Sequence, residues 1–207
     1  MSFLSSFGRE IAAALPALLL ALTFHEYAHA RTAVWWGDPT PARQGRLTLN
    51  PLAHLDPLGT LLLIVARFGW AKPVEINPFY FRRHRRLAMI SVSLAGPLAN
   101  LLLGFLAALV LVGFRPGGYL ASFCSWFLLY NLVLAAFNLL PVPPLDGSKV
   151  VGELLPASAR AAFWRLESYG PWLLLVLVFT GLVGRVLGPL VQGLTSAVLG
   201  AAGAVFL

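Results

Sequence analysis

Charge is scarce in this chain. Only 11% of its 207 residues are Asp, Glu, Lys or Arg, against about 25% in an ordinary globular domain. With 58% hydrophobic residues and a mean hydropathy of +0.79, a water-soluble fold would have too few polar side chains to cover its surface. Acidic residues are the scarcest, eight against 15 Lys and Arg, for a net charge of +7. That excess has no basic helix or aromatic–basic interleaving behind it, which argues against a nucleic-acid partner. It fits an orientation signal and attraction to lipid headgroups instead. Cys124 is the one cysteine, so an internal disulfide and a multi-cysteine metal site are both excluded; it reads as a small packing residue. Internal repeats and low-complexity linkers are missing too, so residues 1–207 are expected to form one integral-membrane domain. The N-terminus lacks a convincing signal-peptide cleavage site near Thr23 to Arg31.

What the chain has is apolar runs. They predict an all-α polytopic membrane protein of about five to six membrane segments, one of them re-entrant, with a small extended or strand element. Glu10 to about Trp35 reads as the first helix, Leu87 to Phe114 as a second and Leu120 to Leu140 as a third. Leu58 to Phe68 is apolar apart from Arg67 but only eleven residues long. A full span needs about 20 residues, so this run suits a segment that enters and returns. Gly69 to Tyr80, with Lys72-Pro73-Val74-Glu75-Ile76-Asn77-Pro78 at its centre, reads as an extended strand or edge segment. Lys149 to Ser168 is polar enough for an interfacial helix. Trp172 to Leu207 holds two apolar runs separated at Arg185 and Gly188-Pro189, forming two short spans or a hairpin. The catalytic core is expected over about 11–150 and the C-terminal apolar segments over 171–207.

The first helix carries His25-Glu26-Tyr27-Ala28-His29 in its last third. Two histidines four apart lie on one helix face and suit two corners of a tetrahedral zinc. The glutamate between them is placed to act as general base on a water held there. The fourteen residues before the motif, Ile11 to Phe24, contain no charge, which puts this chemistry at membrane depth.

Catalytic zinc usually takes three protein ligands. Asp146 is the candidate for the third, because it directly follows a membrane run in a proline-broken stretch where unwound backbone is expected to line a cavity. Gly147 lets the chain pass close to the site. The alternative is that Asp146 caps the following helix. Topology discriminates: if Leu58–Phe68 crossed the bilayer, the histidines and Asp146 would lie at opposite faces. If it returns, they share a face. Nine Lys and Arg between residues 31 and 86, with Lys149, Arg160 and Arg165, then stand against Arg9, Arg115 and Arg185 on the other side. That bias places the site toward the cytoplasm.

Taken together, His25-Glu26-Tyr27-Ala28-His29, Gly96-Pro97-Leu98-Ala99-Asn100 and Asn138 through Leu145-Asp146-Gly147 resemble the motifs of the site-2 protease family of intramembrane zinc metalloproteases. The resemblance covers residues 11 to 150, three motifs in order within apolar segments. It implies one catalytic Zn²⁺ held by His25, His29 and Asp146, and Glu26 activating water. It also implies a membrane-protein substrate cleaved in or near a transmembrane helix. The chain resembles a compact member, with no room for an inserted peptide-binding domain between the spans. Asn100 reads either as an amide that glues helices together or as a contact to the substrate backbone or developing oxyanion. Asn138 reads as structural. His54 is either a group supporting the centre or a satisfied loop histidine. Rival readings are a zinc-binding membrane scaffold or transporter, and a membrane hydrolase acting on lipidated substrates. The expected location is the cell membrane, as a multi-pass protein. Neither the substrate's identity nor the oligomeric state is written in the sequence.

Overall fold

The computed structural model describes residues 3–57, 59, 72–82 and 84–206. Helix α1 (Phe3–Trp35) leads into a four-residue turn of helix, α2 (Thr40–Arg43), and a 3₁₀ turn at Pro51–His54. A second 3₁₀ turn at Pro78–Tyr80 precedes α3 (Arg85–Leu109), which ends in a π turn at Val110–Phe114. Then come α4 (Gly118–Asn138), α5 (Asp146–Leu154), α6 (Ala157–Glu167), α7 (Gly170–Phe179) and α8 (Leu182–Ala204). Among the described residues four helices are long and apolar enough to cross a membrane: Gly8–Trp35, Arg85–Phe114, Gly118–Asn138 and Leu182–Ala204. Helices suit these sequences because lipid offers backbone groups no partners, so each segment must bond its own. The chain is thus a helical, multi-pass membrane protein.

α1, α3 and α4 pack on one another as the central unit. Without a hydrophobic force between helices in lipid, close approach of small residues does the work. Ala13, Ala17 and Ala21 recur every fourth residue of α1 and are fully buried, and α3 and α4 contribute Ala88, Gly104, Ala107, Ala108, Ala135 and Ala136. At Gly104 an added Cβ would lie 3.0 Å from Leu132 Cδ2, so a methyl there would have to displace the Leu132 side chain. α8 joins through Ala202, Leu194 and Val198 against Ala107, Ala108 and Leu128.

α1 and α3 run in opposite directions, so the chain between them leaves and returns at one end of the helices. Gly37, at φ +104°, makes the turn out of α1, a conformation only glycine adopts without strain. Asp38 follows, fully buried. Its carboxylate accepts from Thr40 N–H at 2.9 Å and Asn77 N–H at 2.7 Å, tying residues 72–77 to the end of α1.

Of the five to six membrane segments expected, four spanning helices are found among the described residues, and the expected re-entrant stretch Leu58–Phe68, Gly59 aside, lies outside them. Residues 72–77 are not helical, but no strand is present among the described residues; pairing there amounts to a bridge at Leu55 and Lys72 N–H donating to the His54 carbonyl at 2.9 Å. The reason lies in where the donors go: Pro73 and Pro78 have none, while Val74 and Asn77 give theirs to the carboxylates of Glu26 and Asp38. In the C-terminal tail the break falls at Thr180-Gly181, with Gly181 at φ +72°, and α8 runs straight through Arg185 and Pro189. Membrane helices tolerate such a proline. The polar stretch after Asp146 is two helices, divided at Leu155-Pro156, where the residue before proline takes an extended ψ of 148°.

Asp38→Ala leaves two backbone donors without partners. Unfolding in detergent is expected to show a loss of roughly 3 kcal/mol, with Asp38→Asn intermediate.

Candidate metal centre

His25 and His29 are both buried on the same face of α1, with their Nε2 atoms 3.0 Å apart. Asp146 Oδ2 lies 3.2 Å from His25 Nε2 and 3.1 Å from His29 Nε2. Ligands about 2.0–2.1 Å from a tetrahedral zinc sit roughly 3.3 Å from each other, so the three atoms have nearly the spacing of one tetrahedral face. They come from positions 25, 29 and 146 and form the group of His and carboxylate side chains able to hold a metal ion among the described residues.

The far side of each imidazole explains the chemistry. His29 Nδ1–H donates to the Val92 carbonyl at 2.7 Å, and His25 Nδ1–H donates to Asn100 Oδ1 at 2.6 Å. Asn100 is oriented in turn: its amide nitrogen donates to the Ala21 carbonyl at 3.1 Å and to Asn131 Oδ1 at 2.8 Å, and Asn131 Nδ2 donates to the Phe127 carbonyl at 2.7 Å. With both Nδ1 atoms protonated, the two Nε2 lone pairs and a carboxylate oxygen face one another. Three acceptors converging with no proton to separate them is a donor set that fits a divalent cation.

Two glycines permit the convergence. At Gly96 of α3 an added Cβ would collide with both imidazoles, lying 2.6 Å from His25 Cε1 and 2.7 Å from its Nε2. At Gly147 it would strike the backbone of Leu139 and lie 2.6 Å from the Leu140 carbonyl oxygen. The start of α5 therefore rests on the end of α4, which holds Asp146 inward. The alternative reading of Asp146 as a helix cap is not what is found: Leu145 occupies the cap position and no side chain bonds there.

A cavity of about 550 Å³ opens at the centre, lined among others by Glu26, Val74, Asn138, Lys149 and Trp164. Glu26 Oε2 accepts the Val74 N–H at 3.1 Å, so residues 72–77 lie against the glutamate of the motif. Asn138 reaches the cavity while its amide nitrogen donates to the Leu134 carbonyl at 3.0 Å. Asn100 does not line the cavity; it is fully buried, and both ends of its amide are bonded within the helices. His54 is not brought to the centre: its Nε2 pairs with the Thr48 carbonyl at 2.9 Å, and its buried Nδ1 has no partner among the described residues. Sequence reading missed two contributors. Asn131 carried the same signal as Asn100, an amide inside an apolar run. Lys149, whose Nζ lies 3.2 Å from Asp146 Oδ1, was marked by its i,i+3 spacing from the aspartate.

The profile of Peptidase family M50 matches residues 115–179. The chain is 43% identical to the Bacillus subtilis protein named "Putative zinc metalloprotease YwhC" over 91% of its own length and 90% of that protein's. It is 33% identical to the Mycolicibacterium smegmatis protein named "Putative zinc metalloprotease Rip2" over 81% of its own length and 66% of the other's. No solved structure matches it. On the extent of the Bacillus match, the chain belongs to peptidase family M50, the site-2 protease family that its three motifs resemble.

Gly96→Ala is expected to abolish stoichiometric metal binding, measured as metal per chain by elemental analysis, with helicity kept. Gly193→Ala, at a position with nothing within 4 Å, should leave the metal content unchanged.

Proposed function

We infer that this chain is an intramembrane zinc metalloprotease that hydrolyses peptide bonds in or near the transmembrane segments of membrane-protein substrates. The observation that carries the reading is the convergence of His25, His29 and Asp146 within 3.2 Å of one another among helices apolar enough to cross a membrane. His25, His29 and Asp146 hold the zinc. Zinc, when bound, polarises the scissile carbonyl and makes a water acidic enough to attack near neutral pH. Glu26 faces the same cavity; it removes the proton of the attacking water and returns it to the leaving nitrogen. Asn100 positions His25 rather than touching substrate, because its polar atoms are already committed. Asn131 fixes Asn100 in turn, and His54 takes no part in the reaction. The scaffold and transporter readings give Glu26 no task at the cavity and are not favoured.

The protein is one membrane domain with its catalytic core over about 11–150. Antiparallel α1 and α3 mean that the connection between them starts and finishes at one end of the helices. The excess of Lys and Arg in residues 31–86 and at Lys149, Arg160 and Arg165 over Arg9, Arg115 and Arg185 supports orienting the centre toward the cytoplasmic side of the cell membrane. A membrane helix hides its carbonyls in its own hydrogen bonds, so a substrate must unwind before it is cut. Residues 72–77, non-helical and set against Glu26, offer the unwound stretch a backbone to pair with.

Two tests follow, both on purified full-length protein in detergent. Glu26→Gln should retain one zinc per chain and lose cleavage of single-span substrates by about 10²- to 10⁴-fold, whereas Asp146→Ala should lose the zinc itself. A Glu26→Gln variant that still cleaves at the wild-type rate would remove the protease mechanism. Separately, Ile76→Pro should slow cleavage with zinc content unchanged; an unaltered rate would discard substrate pairing at 72–77.

A further inference from the structure

Asp146 has two oxygens, and the structure gives them different partners. Oδ2 faces the two imidazoles at 3.1 and 3.2 Å, while Oδ1 accepts from Lys149 Nζ at 3.2 Å. We propose that Lys149 is a positioning residue that holds Asp146 to one-oxygen ligation and so keeps the fourth position at the centre open for water and substrate. The inference rests on the zinc reading above.

A carboxylate binds a cation through one oxygen or through both, and a hydrolytic zinc needs three protein ligands and a free position. The strongest competitor for that free position is therefore the second oxygen of the carboxylate already bound. It is covalently tethered, needs no diffusion and reaches the metal by a small rotation about the side chain. A charge-assisted hydrogen bond on Oδ1 opposes that rotation. Asp146 is 6% exposed, so water competes poorly for the same oxygen and the protein must supply the partner.

Lys149 is placed for the task and has no simpler one. Three residues after Asp146, it shares the aspartate's face of α5. A cation in the first turn of a helix works against the helix dipole, so helix stability does not account for it. Two other anions of the cavity wall have partners elsewhere: Glu26 accepts from Val74 N–H, and Glu153 pairs with Arg160 at 3.9 Å. The Lys149 side chain is 37% exposed, so its stem reaches the rim while its ammonium turns inward to the carboxylate.

The test uses full-length protein loaded with Co²⁺ in place of zinc, because cobalt absorption reports coordination number. Wild type is expected to give the intense visible bands of a four-coordinate site. In Lys149→Met, which keeps the stem and removes the charge, those bands should fall several-fold as Oδ1 swings onto the metal. One metal per chain should remain bound, and peptide cleavage of the zinc form should drop at least ~10-fold. Lys149→Gln should behave like Lys149→Met, and Lys149→Arg should restore the wild-type spectrum. A wild-type cobalt spectrum in both neutral variants would overturn the proposal, even if cleavage fell. Failure of the wild-type protein to bind cobalt or zinc would overturn the metal-site reading, and this proposal with it.

Discussion

Three lone pairs directed at one point in a low-dielectric interior form the constraint on which the rest of the structure depends. His25 Nε2, His29 Nε2 and Asp146 Oδ2 are all acceptors when the two Nδ1–H groups donate to Asn100 Oδ1 and the Val92 carbonyl. Such an arrangement is costly to assemble among apolar helices. It persists because each member is held from behind: α3 fixes both rings, and α4 fixes Asp146 through Gly147. The buried amides of Asn100 and Asn131 extend that support across α1, α3 and α4, each polar atom bonded to the next. A polar chain of this kind is stable in an apolar bundle only when every link is made.

Close approach of backbones is the second theme. The alanines of α1, Gly96 and Gly104 of α3, and Gly147 at the start of α5 remove side chains where another element has to come near. Packing between membrane helices depends on such contacts, and here the same economy serves the site. Gly96 leaves room for two imidazoles, and Gly147 leaves room for the last turn of α4. The residues that shape the centre are thus partly those with nothing to contribute chemically.

The connection between α1 and α3 links the centre to its surroundings. Asp38 binds residues 72–77 to the end of α1, and Val74 brings its N–H to Glu26. The segment's donors are drawn to carboxylates within the protein, which explains why a stretch with strand-like sequence forms no strand. The polar helix α6 closes the far side of the cavity with Trp164 and Glu167. The floor of the cavity is therefore His25, His29 and Asp146, and its walls combine the spanning helices (Glu26, Val92, Asn138) with residues outside them (Val74, Lys149, Trp164).

The sequence by itself determined the class, the three apolar spans of the core and the histidine pair. Those features are local: an uncharged run fixes a helix in lipid, and a spacing of four puts two rings on one face. It also pointed to Asp146, because a carboxylate beside a membrane run has few other reasons to be there. What only the tertiary structure decided was partnership. Asn100 reads in the sequence as gluing helices or meeting substrate, and the packing of α1 and α4 sets a histidine and a second asparagine against it. His54 offered the same imidazole as His25 and lies apart from it. Lys149 and Asn131 looked ordinary until the fold gave them neighbours. The break in the tail fell at Gly181, not at Arg185 or Gly188-Pro189, since a helix in an apolar setting continues through a proline that a soluble one would not. A side chain's type is encoded at its own position, but its hydrogen-bond partner is supplied by residues many tens of positions away, and only packing of the helices brings the two together.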